Sequence, residues 1–154
     1  MSMQHGIGVK EVYYRPMTQG EFAKYLDRPW DTETEFDPGY LVEYKDGGKG
    51  NHPDHAGYIS WSPKDVFEKA YRPTSAMSFG LAIEAMKRGH RVARKGWNGK
   101  GLFIFLVENW TYTDGKQDNL RNLPTLVMKT VDDCAVPWLA SQTDMLADDW
   151  VVIE

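Results

Sequence analysis

An Asn98-Gly99 pair stands between Val92-Ala93 and the apolar run Leu102 to Val107, and few other features constrain the fold of this chain as strongly. Both residues tolerate the positive φ that the centre of a tight turn demands, which makes Asn-Gly the strongest short-range hairpin signal. It predicts two antiparallel strands, the second being Leu102 to Val107. Upstream, Phe79, Ala82, Ile83 and Met86 fall at i, i+3, i+4 and i+7 behind a candidate N-cap, Ser78. Gly89 stands where a glycine just past the last turn would end that helix. Downstream, Leu126 to Lys129 and Cys134 to Leu139 read as a second strand pair around Asp132-Asp133, with Trp150 to Ile153 as a closing strand. The expected fold class is α+β, a small antiparallel sheet packed on one amphipathic helix.

The first half has a different texture. Tyr71-Arg72-Pro73-Thr74-Ser75 separates the halves, because proline disfavours helix in the residue before it, and the boundary is set near Pro73. Residues 1–73 are then an N-terminal accessory module and 77–154 the principal domain. Within the module, Tyr40-Leu41-Val42 and Tyr58-Ile59-Ser60-Trp61 flank the turn-rich stretch Asp46 to Asn51 and predict a hairpin. Ser62-Pro63 is expected to open a short helix, with Ser62 as cap, Pro63 at the first helical position and Val66, Phe67 and Ala70 as its apolar stripe. Thr18 with Glu21 three residues on predicts a capping box and another short helix, and the acidic stretch Asp27 to Pro38 a loop.

Composition narrows the function classes. At 154 residues, 42% of them apolar, the chain suits one domain or two small ones. Its longest apolar run, Leu102 to Val107, is far short of the roughly 20 residues that span a bilayer. The first twenty residues hold no apolar core of a signal peptide, so the expected location is the cytoplasm. Cys134 is a single cysteine and can neither close an intramolecular disulfide nor anchor a cysteine-based zinc site. A net charge of −4 argues against a general nucleic-acid coat, which needs a net-basic face to displace counterions.

Within this acidic chain, Lys87, Arg88, Arg91, Arg94, Lys95 and Lys100 form a basic patch with no Asp or Glu among them. On a strand, Arg91 and Ala93 point one way and Val92 and Arg94 the other, so the cations cannot all meet one ligand. Taken alone, the patch reads rather as a solvated face with favourable helix-end charges at Lys87 and Arg88. The adjoining turn tilts the reading: Trp97, Asn98 and Lys100 supply a flat apolar plate, an amide for a base edge and a cation for phosphate. A second run, Pro137-Trp138 leading through Leu139-Ala140 into Ser141-Gln142-Thr143-Asp144, has two readings. Either a serine or threonine caps a helical turn while Trp138 fills the core, or the polar side chains face ribose and phosphate. Composition favours the first.

Catalytic patterns are sparse. His52-Pro53-Asp54-His55 offers two imidazoles without a supporting cluster, and His90 follows a helix end. Gly6-Ile7-Gly8 lacks the third glycine of a dinucleotide fingerprint, and neither a P-loop nor a nucleophile elbow is present.

Three ordered stretches, Met77 to Met86, Arg91-Val92-Ala93-Arg94-Lys95-Gly96-Trp97-Asn98-Gly99-Lys100-Gly101, and Val136-Pro137-Trp138-Leu139-Ala140-Ser141-Gln142-Thr143-Asp144 on to Trp150, closely resemble a family of small phage proteins. These phage anti-Thoeris proteins, formerly a domain of unknown function, counter the bacterial Thoeris system by sequestering its signal. The resemblance implies a non-enzymatic sponge without cofactor, metal, DNA or RNA partner or membrane. It would bind cyclic ADP-ribose derivatives made by TIR-domain proteins, and in some members cyclic dinucleotides of cGAS-like signalling. It also implies a homotetramer with ligand sites between subunits. Carried over by position, it makes Trp97, Asn98, Lys100, Trp138, Ser141, Gln142, Thr143 and Asp144 the expected ligand contacts, with Arg91 and Arg94 as diphosphate partners through the guanidinium fork. Asp144 is the exception among them, because a carboxylate repels diphosphate; it is expected to accept from a ribose hydroxyl or to brace the turn. Gly39 to Tyr44 and Gly57 to Phe67 resemble a small phage accessory module. The competing readings are a cyclic-nucleotide phosphodiesterase and a virion-associated interaction module whose tryptophans form an interface.

Overall fold

A computed structural model describes residues 3–97, 100–110 and 123–154. The chain forms two compact units, Met1–Tyr71 and Arg72–Glu154. The architecture is α+β, built on small antiparallel sheets with few helices.

The first unit contains β1 (Val12–Pro16), α1 (Gln19–Tyr25), β2 (Gly39–Tyr44), β3 (Tyr58–Pro63) and α2 (Lys64–Ala70). The expected hairpin is β2 and β3, paired antiparallel from Gly39↔Pro63 to Tyr44↔Tyr58. It gains a third strand, β1, on the β2 edge through Val12↔Tyr44 to Pro16↔Tyr40. Four of the five β1 residues are exposed, so apolar alternation could not announce it. The capping box opens α1 as expected: Thr18 N–H donates to Glu21 Oε2 at 2.8 Å and Glu21 N–H donates to Thr18 Oγ1 at 3.2 Å. Helix α2 starts one residue later than Ser62-Pro63 implied. Pro63 is the N-cap and no side chain caps it, because Ser62 and Pro63 remain extended in register with Tyr40 and Gly39. Sheet pairing outcompetes the local cap. Of the predicted stripe, Phe67 is buried while Val66 and Ala70 face solvent.

The second unit contains α3 (Phe79–Lys87), β4 (Arg91–Arg94), β5 (Phe103–Val107), β6 (Thr125–Lys129), β7 (Ala135–Pro137), α4 (Gln142–Met145) and β8 (Trp150–Ile153). Its five-stranded sheet has the order β7-β6-β5-β4-β8, antiparallel throughout. The Asn98-Gly99 turn lies outside the described residues, but the strands on either side pair antiparallel at Val92↔Ile104. The strand expected over Cys134 to Leu139 is shorter than that, Ala135–Pro137. The chain closes by returning β8 alongside β4, with Arg94 opposite Trp150. Residues ahead of α3 cover the far edge of β8: Met77 and Trp150 exchange both backbone hydrogen bonds, and Val152 N–H donates to Thr74.

Helix α3 begins and ends on the signals in its sequence. Ser78 Oγ accepts from Leu81 N–H. At the other end Gly89 adopts φ +88°, its N–H donates to Met86 C=O and the His90 N–H to Ala85 C=O, the two bonds of a Schellman motif. Ala82, Ala85 and Met86 of this helix join Met77, Val92, Ile104 and Trp150 in the core. Among the described residues no helix is long and apolar enough to cross a membrane.

Candidate functional site

The side chain that organises the second unit's polar edge is Arg94, the last residue of β4. Strand alternation turns it to the same face as Val92, while the antiparallel partner places Trp150 opposite it. Its guanidinium donates through Nε to Asp149 Oδ1 at 2.8 Å and through Nη1 to Asp144 Oδ1 at 3.0 Å. Each aspartate uses its other oxygen locally. Asp149 Oδ2 accepts from Gly96 N–H at 3.2 Å, next to Trp97. Asp144 Oδ2 accepts from Ser141 N–H at 3.1 Å and from Ser141 Oγ–H at 2.6 Å. One cation thus ties the tryptophan turn to the polar run Ser141–Asp144.

The electrostatics match this geometry. The hydrogen bond from Arg94 holds the Asp149 carboxyl below its usual pKa, against the opposing effect of burial. For Asp144, burial is the largest influence and would raise the pKa, but hydrogen bonds from Ser141 and Arg94 together outweigh it and leave the group lowered. Arg94 in turn is pushed further up by its bonds to Asp149 and Asp144.

The polar run folds as a capped turn. Ser141 is the N-cap of α4, and Ser141 and Asp144 complete a capping box. With the Ser141 hydroxyl proton on Asp144, Thr143 Oγ1, 2.9 Å away, is left to donate to Ser141. Gln142 and Thr143 are exposed. Asp144 therefore braces the turn through its hydrogen bonds with Ser141.

Beneath the turn lies a cluster of indoles. Trp150 is fully buried, and its Nε1–H donates to Asp144 C=O at 3.0 Å. Trp97 and Trp138 pack edge-on against it with ring centroids at 5.5 and 6.0 Å, and lie 6.1 Å from each other. Phe79 of α3 completes the group, 5.3 Å from Trp150 and 6.1 Å from Trp138. Trp97 and Trp138 are half-buried, each partly a core residue and partly a surface plate.

Of the residues singled out from sequence, Arg94, Trp97, Trp138, Ser141 and Asp144 belong to this one assembly, with Gln142 and Thr143 on its exposed turn. Arg91 is not part of it: alternation sends it to the opposite face of β4, where its guanidinium lies 4.9 Å from the Phe103 ring. Lys100 is exposed. Asn98 lies outside the described residues. Sequence reasoning missed Asp149 and Trp150 as parts of the assembly, since nothing in their spacing ties them to Arg94; the strand pairing Arg94↔Trp150 does that.

An open apolar groove of about 200 Å³ runs along β5, β6 and β7, lined by Val107, Trp110, Thr125, Val127, Ala135, Val136 and Pro137. Register puts Val107, Thr125, Val127 and Pro137 on the sheet face away from the core residue Ile104, hence away from the indole cluster. Among the described residues no group of three or more His, Cys, Asp or Glu could hold a metal ion.

Comparison with known proteins bears on the same unit. Residues 77–153 match the model of the Tad2-like family, described as the Thoeris anti-defense 2-like domain. The chain is 38% identical over 84 residues to the Thoeris anti-defense 2 protein of Bacillus phage SP01, an alignment covering 50% of this chain and 94% of that relative. The match runs from the segment ahead of α3 through β8, the whole span in which Arg94, Trp97, Trp138, Ser141 and Asp144 are brought together, so this chain belongs to the Thoeris anti-defense 2-like family.

Proposed function

We propose that residues 77–154 bind cyclic nucleotide immune signals and hold them uncleaved, so that the effectors those signals would activate stay silent. Family membership supports the anti-defence role. The observation that carries the reading is the Arg94 bridge to Asp149 and Asp144, which ties the tryptophan turn and the Ser141–Asp144 turn to one cation. Preorganised turns cost less ordering entropy on binding, and tight capture without turnover needs no more than that plus stacking and charge.

In this reading Trp97 and Trp138 offer aromatic surface to bases, worth roughly 1–3 kcal/mol per stacked base. Asn98, Gln142 and Thr143 offer hydrogen bonds to base edge and ribose, and Lys100 and Arg91 offer charge to the diphosphate. Arg94, Ser141 and Asp144 hold the turns in place, their mutual hydrogen bonds being the reason. The ligands are glycocyclic ADP-ribose species made by TIR-domain proteins, and cyclic dinucleotides as a second class. The protein acts in the cytoplasm of the infected host as a homotetramer whose subunits complete each other's sites, a geometry that would let Arg91 of one copy serve the site of another. The first unit is an accessory module.

Calorimetric titration of the full chain with a panel of cyclic nucleotides tests this, followed by denaturation and mass spectrometry of the released ligand. Saturable binding with intact ligand recovered is the expected result. A linearised or hydrolysed product would make the protein a phosphodiesterase, and no heat with any panel member would leave the interaction module standing.

A further inference from the structure

The Met1–Tyr71 unit holds a chain of three ionisable side chains drawn from three parts of the sequence. Tyr25 ends α1, Glu43 lies on β2, and His55 lies in the loop joining β2 to β3. Tyr25 Oη is 3.1 Å from His55 Nε2, and His55 Nδ1 is 2.7 Å from Glu43 Oε2. Glu43 Oε1 accepts in addition from Gly57 N–H at 3.0 Å. With both oxygens accepting, the Glu43 carboxyl stays ionised, its pKa lowered chiefly by the hydrogen bond from His55.

A carboxylate on Nδ1 fixes the tautomer of neutral His55, with the proton on Nδ1 and the Nε2 lone pair turned to the phenol. Tyr25 then donates to a base that is itself oriented by an acid. Nucleophile, base and orienter stand in the order, and within the distances, of covalent catalytic sites. Holding the loop does not require this chain, because Asn51 already fastens it to β3 by two hydrogen bonds with the Ile59 backbone, at 2.8 and 2.9 Å. The surroundings suit an anionic reactant. The Arg15 guanidinium of β1 lies 5.4 Å from the Tyr25 ring centroid, and His52 stacks on the same ring at 4.2 Å. His55 and Glu43 are 14% and 18% exposed, sheltered yet within reach of solvent.

We propose that Tyr25 is a nucleophile activated by His55 and Glu43, directed at electrophiles that carry a phosphoryl or sulfonyl centre beside a negative charge. In the reaction Tyr25 Oη forms a bond to phosphorus or sulfur, and the bond to the leaving group breaks with its electron pair. The phenolic proton passes to His55 Nε2, and Glu43 stabilises the resulting imidazolium. Arg15 attracts the anion. All of these residues lie in the Met1–Tyr71 unit.

Treating the full-length protein with 4-carboxybenzenesulfonyl fluoride, and reading modified tyrosines by peptide mass spectrometry, tests the proposal. Here an O–S bond forms, S–F breaks and fluoride leaves. General-base assistance predicts Tyr25 labelling about 10²-fold faster than that of exposed Tyr58 at neutral pH. His55→Gln lowers the Tyr25 rate at least about tenfold with circular dichroism unchanged. Arg15→Ala removes the preference for the anionic reagent over its neutral methyl ester. In the unaltered protein, a Tyr25 rate no greater than that of Tyr58 overturns the proposal whether or not the variants fold.

Discussion

Arg94 and Asp149 lie 55 residues apart in sequence and are joined Nε to Oδ1 at 2.8 Å. The pair is partly buried, with 21% of the Arg94 and 34% of the Asp149 side chain exposed, and Asp144 completes it from the other side. Because Asp149 also accepts from Gly96 and Asp144 from Ser141, loss of the guanidinium leaves two carboxylates facing one another without a cation.

Arg94→Ala is therefore expected to destabilise the second unit by about 1–3 kcal/mol, the cost of charge-assisted hydrogen bonds left unpaired in a half-buried site. Arg94→Lys keeps the charge but replaces the planar Nε and Nη1 donors with one compact ammonium on a shorter reach, and should recover only part of the loss. Urea denaturation measures both. Equal stability of the lysine variant and the parent would mean that the fork contributes nothing.

The same carboxylates set an acid limb. Asp149 has a folded pKa below its unfolded value of about 3.9, so its stabilisation is fully present above that pH and fades as pH falls through the folded value. Asp149→Asn should cost stability at neutral pH and progressively less toward acid, so the two stability curves converge. Parallel curves down to pH 2 would show that Asp149 does not supply the limb.

Trp150 and Trp97 should separate stability from binding. Trp150 is fully buried and also donates to Asp144, so Trp150→Ala is expected to cost about 3–5 kcal/mol and to unfold the unit in mild denaturant. Trp97 is half-buried, and Trp97→Ala should leave a folded protein that binds cyclic nucleotide roughly 1–3 kcal/mol more weakly by calorimetry. Unchanged affinity would take Trp97 out of the ligand site.

Gly89 carries the turn that ends α3, at φ +88° with open space where a Cβ would stand. An alanine there meets no clash and suffers only from its backbone conformation, so Gly89→Ala is expected to cost about 1–2 kcal/mol in thermal unfolding. A larger loss would point to packing that the structure does not contain.

Much of the fold was legible because its signals are local. Thr18 with Glu21, and Ser78 with Gly89, bring their own hydrogen-bond partners within a few residues, so a short window contains the whole interaction. Strand β1 was not legible, since its partner Gly39–Tyr44 begins more than twenty residues on and its side chains are mostly exposed. Ser62-Pro63 misled by one residue for the related reason that pairing with Gly39 and Tyr40, remote in sequence, holds it extended.

For the candidate site, sequence alone determined the residue types: indoles, a cation-rich strand and a serine-led polar turn, together with the family resemblance they carry. Tertiary structure decided which of them meet. Opposite faces of β4 part Arg91 from Arg94, and the return of β8 beside β4 delivers Asp149 and Trp150 to Arg94. Hydrogen bonds and ring contacts reach only a few ångströms, so residues a third of the chain apart acquire these roles through strand register, which no local pattern encodes.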